Sequence, residues 1–333
     1  MADHADRKQP LDQDYAAAWR PTANWDMLRR RAELLARLRE FFVAHQFLEV
    51  ETPLVSADTV VDRHLDPFGV AVGRGRTRWL QTSPEFGMKR LMAAGGEAIF
   101  QVTRAFRQEE LGARHNAEFT IVEWYRRDDN MATAMQLLSD LCEALLHLGP
   151  ADLISYQDAF LKFAGVDPFA ATDADLVSAV RDRNIDAPES LAPSDRDGWL
   201  DLLLVSLIEP QLGATTPTML HSYPPSQAAL AVTTGTAPQV AERFELYARG
   251  IELANGYHEL LDPQVLRERN QRNNAARVMD GKPILPALSH LLAAMEHGLP
   301  ACSGVALGFD RVVMLATGAK TIAEVIAFPF DRA

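Results

Sequence analysis

The chain has 333 residues, 47% apolar and 23% charged, with 33 Lys and Arg against 45 Asp and Glu for a net charge of −12. This is the make-up of a globular protein of one large or two ordinary domains, and it excludes general disorder and a nucleic-acid grip built mainly on phosphate neutralisation. Two distant cysteines, Cys142 and Cys302, exclude a disulfide framework and a four-thiolate zinc site. A polar start and apolar stretches no longer than that of residues 200–208 point to a soluble, reduced, cytoplasmic protein with no membrane partner.

Residues 1–23, polar with Pro10 and Pro21, read as a flexible tail, and residues 24–333 as the folded domain. Asn24 caps a helix whose apolar positions Trp25, Leu28, Ala32, Leu35, Leu38 and Phe42 share one face. Within it, Arg29, Arg30 and Arg31 read as a solvated or subunit-facing edge. An alternating strand over Phe47–Pro53 follows, then strands over Ile99–Phe106 and Phe119–Tyr125 around a polar loop, Arg107–Glu118. Residues 131–148 carry Met131, Met135, Leu138, Leu141, Leu145 and Leu148 on one helical stripe, which is core. The stretch of about 150–218 mixes short amphipathic helices with prolines and reads as a helical insertion. Strands return at Ala241–Ala254 and Ser303–Gly308, followed by a helix over Asp310–Leu315. Runs of strands split by helices predict an α+β architecture with an antiparallel sheet. No Walker-type Gly-Lys-Ser/Thr loop and no Gly-x-Gly-x-x-Gly opening is present.

Three segments carry chemistry. In the strand Phe119–Tyr125, alternation puts Phe119, Ile121, Glu123 and Tyr125 on one side, beside a loop bearing Arg107, Glu109, Arg114 and Asn116. Charged hairpin tips are ordinarily just solvated, but an aromatic, a carboxylate and a phenol next to arginines suit a ligand with a flat ring, phosphates and an amine. In Glu252–Leu260, two carboxylates seven positions apart flank an Asn255-Gly256 turn signal and suit Mg²⁺ shared with phosphates, or are merely surface glutamates near a turn. In Gly304–Arg311 a strand enters a helix, with Gly308 allowing close backbone approach and Arg311 placed to contact phosphate.

In that order, the segments resemble the catalytic core of class II aminoacyl-tRNA synthetases, and specifically the lysyl branch. The first helix with Phe47–Pro53 is similar to the dimer-forming motif 1, Arg107–Phe119 to motif 2, and Gly304–Arg311 to motif 3. With only some two dozen polar residues ahead of motif 1, where lysyl-tRNA synthetases carry an anticodon-binding domain, the length and pattern resemble the free-standing elongation factor P–(R)-β-lysine ligase family. The resemblance implies an antiparallel class II sheet flanked by helices, a homodimer, ATP and Mg²⁺, β-lysine as substrate, and elongation factor P rather than tRNA as acceptor.

It also implies roles. Arg107 would contact the α-phosphate, and Glu109 would read the adenine amino group with help from Gln108 and Asn116. Phe119 would stack on adenine with Arg311 opposite, reaching the γ-phosphate. Glu252, with Glu259 as a possible second ligand, would hold Mg²⁺, while Leu253 and Gly308 would line the nucleotide site. Ser83, Pro84, Glu85, Glu123, Tyr125 and Glu259 would hold the substrate ammonium groups. Two departures stand out: Gln108 replaces a common Asn, and Ala306 replaces the first motif 3 glycine of lysyl-tRNA synthetases. A trimmed synthetase charging tRNA or another small acceptor, and a non-catalytic regulatory paralogue, are the competing readings.

Overall fold

The computed structural model describes residues 19–333, so residues 1–18 of the expected tail lie outside the described residues. The last part of that stretch is fastened down: the Thr22 hydroxyl donates to the Ile326 carbonyl at 2.9 Å, and Ala23 is buried.

Helix α1 (Trp25–Ala44) starts where Asn24 accepts from the Met27 N–H at 2.9 Å. Its buried face is Leu34, Leu38 and Phe42, so the expected stripe holds only in its C-terminal half, and Trp25 is 71% exposed. Arg31 also departs from expectation. It turns inward, pairs with Asp310 at 2.6 Å and lies over the Phe309 ring, whereas Arg29 meets only the exposed Asp26.

Short strands β1 (Leu48–Glu49), β2 (Val55–Ser56), β3 (Gly69–Ala71) and β4 (Thr77–Leu80) precede helix α2 (Glu85–Ala93). The long hairpin of β5 (Ala98–Phe106) and β6 (Glu118–Arg127) leads to α3 (Met131–Leu146), which buries the expected apolar stripe. Next come β7 (Asp152–Ser155), α4 (Tyr156–Ala159), α5 (Asp173–Asp182) and α6 (Arg196–Leu203). The chain then returns through β8 (Thr218–Tyr223), β9 (Thr233–Thr234), β10 (Val240–Ala248) and β11 (Ile251–His258). It closes with α7 (Pro263–Met279), α8 (His290–Gly298), β12 (Cys302–Gly308) and α9 (Phe309–Thr317).

The main sheet runs β1-β5-β6-β12-β11-β10-β8-β7, with β9 on β10, and is antiparallel except at its edges, where β1 joins β5 and β7 joins β8 in parallel. The segment 150–218 therefore adds a strand to the sheet before its helices begin, and those helices build their own core on Tyr156, Phe160, Trp199 and Leu203. No helix among the described residues is long and apolar enough to cross a membrane.

Alternation along the strands gives the sheet two unlike faces. Phe100, Val122, Trp124, Phe244, Leu246, Val305 and Leu307 pack with α1, α3 and α9 into the principal core, where Phe42 stacks on Phe100 at 4.5 Å. The intervening residues, Ile121, Glu123, Tyr125, Glu245, Gly304 and Ala306, point the other way and floor a cavity.

Candidate active site

That cavity measures about 450 Å³ and spans strands β6, β12, β11 and β10, roofed by loop residues Val60–Leu65 and by α7. Two local devices aim the side chains of β11. A bulge at Leu253, where the register against β10 slips between Leu246 and Tyr247, sets Glu252 on the same face as Asn255, Tyr257 and Glu259. The expected turn at Asn255-Gly256 does not form. Both residues lie mid-strand, and the Phe244 ring fills the space a Gly256 side chain would need, its nearest carbon 2.4 Å from the Cβ position. The chain reverses instead at Arg249-Gly250, with φ of +53° and +67°, the backbone of a two-residue hairpin turn. Ala241–Ala254 is thus two strands rather than one.

One end of the cavity is acidic. Glu123 accepts from the Ser83 hydroxyl, and from the Tyr125 hydroxyl at 3.2 Å. Glu85 and Glu259 share one partner, the ammonium of Lys89, which stands 2.5 Å from Glu85 and also pairs with Glu259. Burial, with the charge of Glu85 adding to it, pushes the Glu123 carboxyl up to about 8. Burial likewise raises Glu259 to about 8, against the opposing pull of Lys89. Oε1 of Glu259 has no hydrogen-bond partner among the described residues, which leaves an acceptor at the cavity floor. Gly304 lies against both groups: a Cβ there would stand 2.2 Å from Tyr125 and 2.4 Å from Glu259.

The other end is cationic. Arg107, Arg114 and Arg311 line it with His115. Arg311 donates to the Glu252 carbonyl at 2.8 Å and pairs with its carboxylate at 3.2 Å. It also reaches Nε2 of His115 at 2.7 Å. Burial and the nearby Arg311 charge lower the His115 pKa, so its ring is neutral and accepts. Between the two ends Arg243 pairs with Glu245 at 2.6 Å, and both Tyr223 and Tyr247 donate to that carboxylate at 2.6 Å.

Twelve residues singled out in the sequence line this one cavity: Ser83, Glu85, Arg107, Asn116, Phe119, Glu123, Tyr125, Glu252, Leu253, Glu259, Gly308 and Arg311. Three do not. Pro84 is buried at the N-cap of α2, where its carbonyl accepts from the Met88 N–H at 3.0 Å. Gln108 ties its loop down, its amide donating to the Pro67 carbonyl at 3.0 Å. Glu109 sits at the loop tip with φ +61° and its side chain in solvent, so it is Glu110 that faces the cavity, 3.4 Å from Arg107.

Three further expectations change in detail. The Phe119 ring carries the Arg107 guanidinium at 4.9 Å, so a base stacking there needs that side chain to swing away. Asn116 is committed within the protein, donating to the Glu118 carbonyl at 2.6 Å and accepting from Phe330 N–H at 2.9 Å. Glu259, held by Lys89, is a poor second ligand for a dication. No group of three or more His, Cys, Asp or Glu among the described residues is placed to hold a metal, while Glu252, 39% exposed beside Arg311, offers hard oxygens to one shared with phosphates.

Lys89, Arg243, Glu245 and Tyr257 were not singled out by sequence reasoning. Arg243 and Glu245 alternate with apolar residues, which reads as a solvated strand face. Lys89 lies four positions after Glu85, which reads as a surface helix pair. A deep cavity with arginines at one end and carboxylates at the other can align a phosphorylated nucleotide with a small amine-bearing acid. Over residues 6–332 the sequence matches the family tRNA synthetases class II (D, K and N), and the chain belongs to that family.

Proposed function

We propose that this protein is an ATP-dependent ligase that activates β-lysine as an adenylate and attaches it to a lysine side chain of elongation factor P. Membership of the family implies ATP-dependent amino-acid ligation. The observation that carries the choice of substrate is the charge balance of the acidic end. Three carboxylates, Glu85, Glu123 and Glu259, face a single internal cation, Lys89. That leaves a deficit of two positive charges, which the two ammonium groups of a lysine-like diamine make good, because buried carboxylates are strongly unfavourable unless paired.

The chemistry then needs no side-chain nucleophile. The substrate carboxylate attacks the α-phosphorus of ATP in line, and pyrophosphate leaves. Arg311, held at a helix start, and Arg107, once it has swung off the Phe119 ring, stabilise the charge that develops. Glu252 would hold Mg²⁺, which when bound would supply positive charge for the leaving pyrophosphate. The ε-amine of the acceptor attacks the adenylate carbonyl, AMP departs, and an amide forms with loss of a proton. The protein acceptor is supported by the resemblance of the motifs to the elongation factor P ligases and by the net charge of −12, which disfavours a tRNA backbone. On this reading the protein works in the cytoplasm as a homodimer through its motif 1 elements.

Two results are expected. Because Glu123 and Glu259 are both raised to about 8, they hold protons at pH 7 that an incoming dication displaces. Calorimetry at pH 7 in buffers of different ionisation enthalpy should show release of about two protons per diamine bound, one from each carboxyl, and release should fade above about pH 9. Ala306, which lines the cavity between Glu123 and Asn255, should favour an amine displaced by one carbon. Ala306→Gly is expected to shift the ratio of kcat/KM toward α-lysine by about tenfold, the usual worth of a methylene-sized change in a pocket.

The deciding assay incubates enzyme, ATP and labelled β-lysine with elongation factor P or with bulk tRNA. The reading predicts an amide on the protein that survives mild base. Base-labile label on RNA, with none on protein, contradicts it.

A further inference from the structure

Burying an ammonium costs several kcal/mol, and it persists only where carboxylates compensate it. Lys89 is such a group. It is 2% exposed, sits on α2 one turn after Glu85, and lies behind the cavity wall rather than in it. Its ammonium joins Glu85, four residues away on its own helix, to Glu259 at the end of β11, and stands 6.0 Å from the Tyr125 ring centre. Nothing in the packing of α2 calls for a cation here, since its neighbours Phe86, Met88 and Met92 belong to an apolar cluster that a methionine would join.

We propose that Lys89 is a specificity-determining positioning residue. As a built-in ammonium it fixes Glu85 and Glu259 in place and fills one of the three cation positions that the carboxylates define, so that the pocket takes a substrate with two ammonium groups. A substrate with one such group leaves one carboxyl holding its proton and making no ion pair; one with two pairs with all that Lys89 leaves open. The inference rests on the lysine-like substrate proposed above, and it adds that the charge count is set from inside the protein.

The test compares wild type, Lys89→Met and the double variant Lys89→Met/Glu85→Gln in ATP–pyrophosphate exchange driven by β-lysine and by α-lysine. Methionine matches the length of the lysine without its charge. Lys89→Met should raise the amino-acid KM at least about tenfold, with the KM for ATP and kcat changed by less than about threefold, as expected when one partner of a buried charge pair is lost. The double variant removes one carboxylate along with the cation and restores the deficit of two. It should recover at least about half of the lost affinity on a logarithmic scale, a coupling that two independent defects would not show.

Lys89 as mere filling is the conclusion if the amino-acid KM of Lys89→Met is unchanged. The same holds if the loss falls equally on ATP, or if the double variant binds more weakly than the single one. Should Lys89→Met fail to fold, the double variant alone decides, with an amino-acid KM within about tenfold of wild type supporting the proposal and a larger loss overturning it. Wild-type enzyme that shows no exchange with any diamine removes the substrate reading itself, an outcome distinct from variants that misbehave while wild type is active.

Discussion

Arg107→Ala should lower the rate of ATP–pyrophosphate exchange by about a hundredfold or more, the usual consequence of losing one charge contact to a transition state. Arg107 lines the cationic end of the cavity with Arg114 and Arg311. Its Nε donates to the Thr82 carbonyl at 3.3 Å, its guanidinium covers the Phe119 ring, and Glu110 lies 3.4 Å away. None of these contacts is strong enough to hold the fold, so the variant should melt within a few degrees of wild type. On the proposed function, Arg107 leaves Phe119 when a base enters and turns its charge to the α-phosphate. Single-turnover measurement of adenylate formation separates this from product release; a variant that retained the wild-type rate would remove Arg107 from the reaction.

Gly304→Ala should abolish amino-acid-dependent exchange while leaving nucleotide binding in place. Gly304 lies on β12 opposite Tyr125 of β6 and Tyr257 of β11, at the point where the floor touches the acidic cluster. The added methyl has nowhere to go, for its nearest neighbours are Tyr125 at 2.2 Å and Glu259 at 2.4 Å. One ring and one carboxylate must move, and both contact Glu123 or Lys89. Overpacking of this kind costs about 1–3 kcal/mol of stability, which a domain of this size survives. On the proposed function, the amino-acid site depends on these carboxylates being held in place and should not survive it. ATP binding followed by fluorescence titration should change by less than about threefold, since the arginine end is remote from the clash. Equal loss of both ligands would show that the two ends of the cavity are not independent.

The sequence made the central strands legible because alternation is a strong signal where one face is core. Phe119, Glu123 and Tyr125 line the cavity, while Val122 and Trp124 pack behind it. The order of the three motifs supplied the antiparallel class II sheet. What could not be read depends on contacts between distant segments. Asn255-Gly256 carries the local signature of a turn, yet Phe244 of the neighbouring strand occupies the space beside Gly256 and keeps the chain extended. The reversal falls instead on Arg249-Gly250, whose arginine gives no local hint. Arg31 belongs to a basic run that looks solvated, and only the fold brings Asp310 to it. Glu109 and Glu110 are equivalent by composition, and a single positive φ at Glu109 decides which of them faces the cavity.

The acidic end was legible as a set of glutamates but not as a circuit. Glu85, Glu123 and Glu259 come from three different elements, and the cation among them, Lys89, looks in the sequence like half of an ordinary helix pair. Its burial is what turns three separate carboxylates into a site with a defined charge.

The most direct test of this account is ATP–pyrophosphate exchange by wild-type enzyme with β-lysine, α-lysine and norleucine, which has the carbon chain of lysine without its terminal amine. Exchange should depend on a diamine, be fastest with β-lysine, and fall at least about a hundredfold with norleucine, since one buried carboxylate would then lack its ammonium partner. Exchange that proceeds equally well with norleucine, or with no lysine isomer at all, would contradict it.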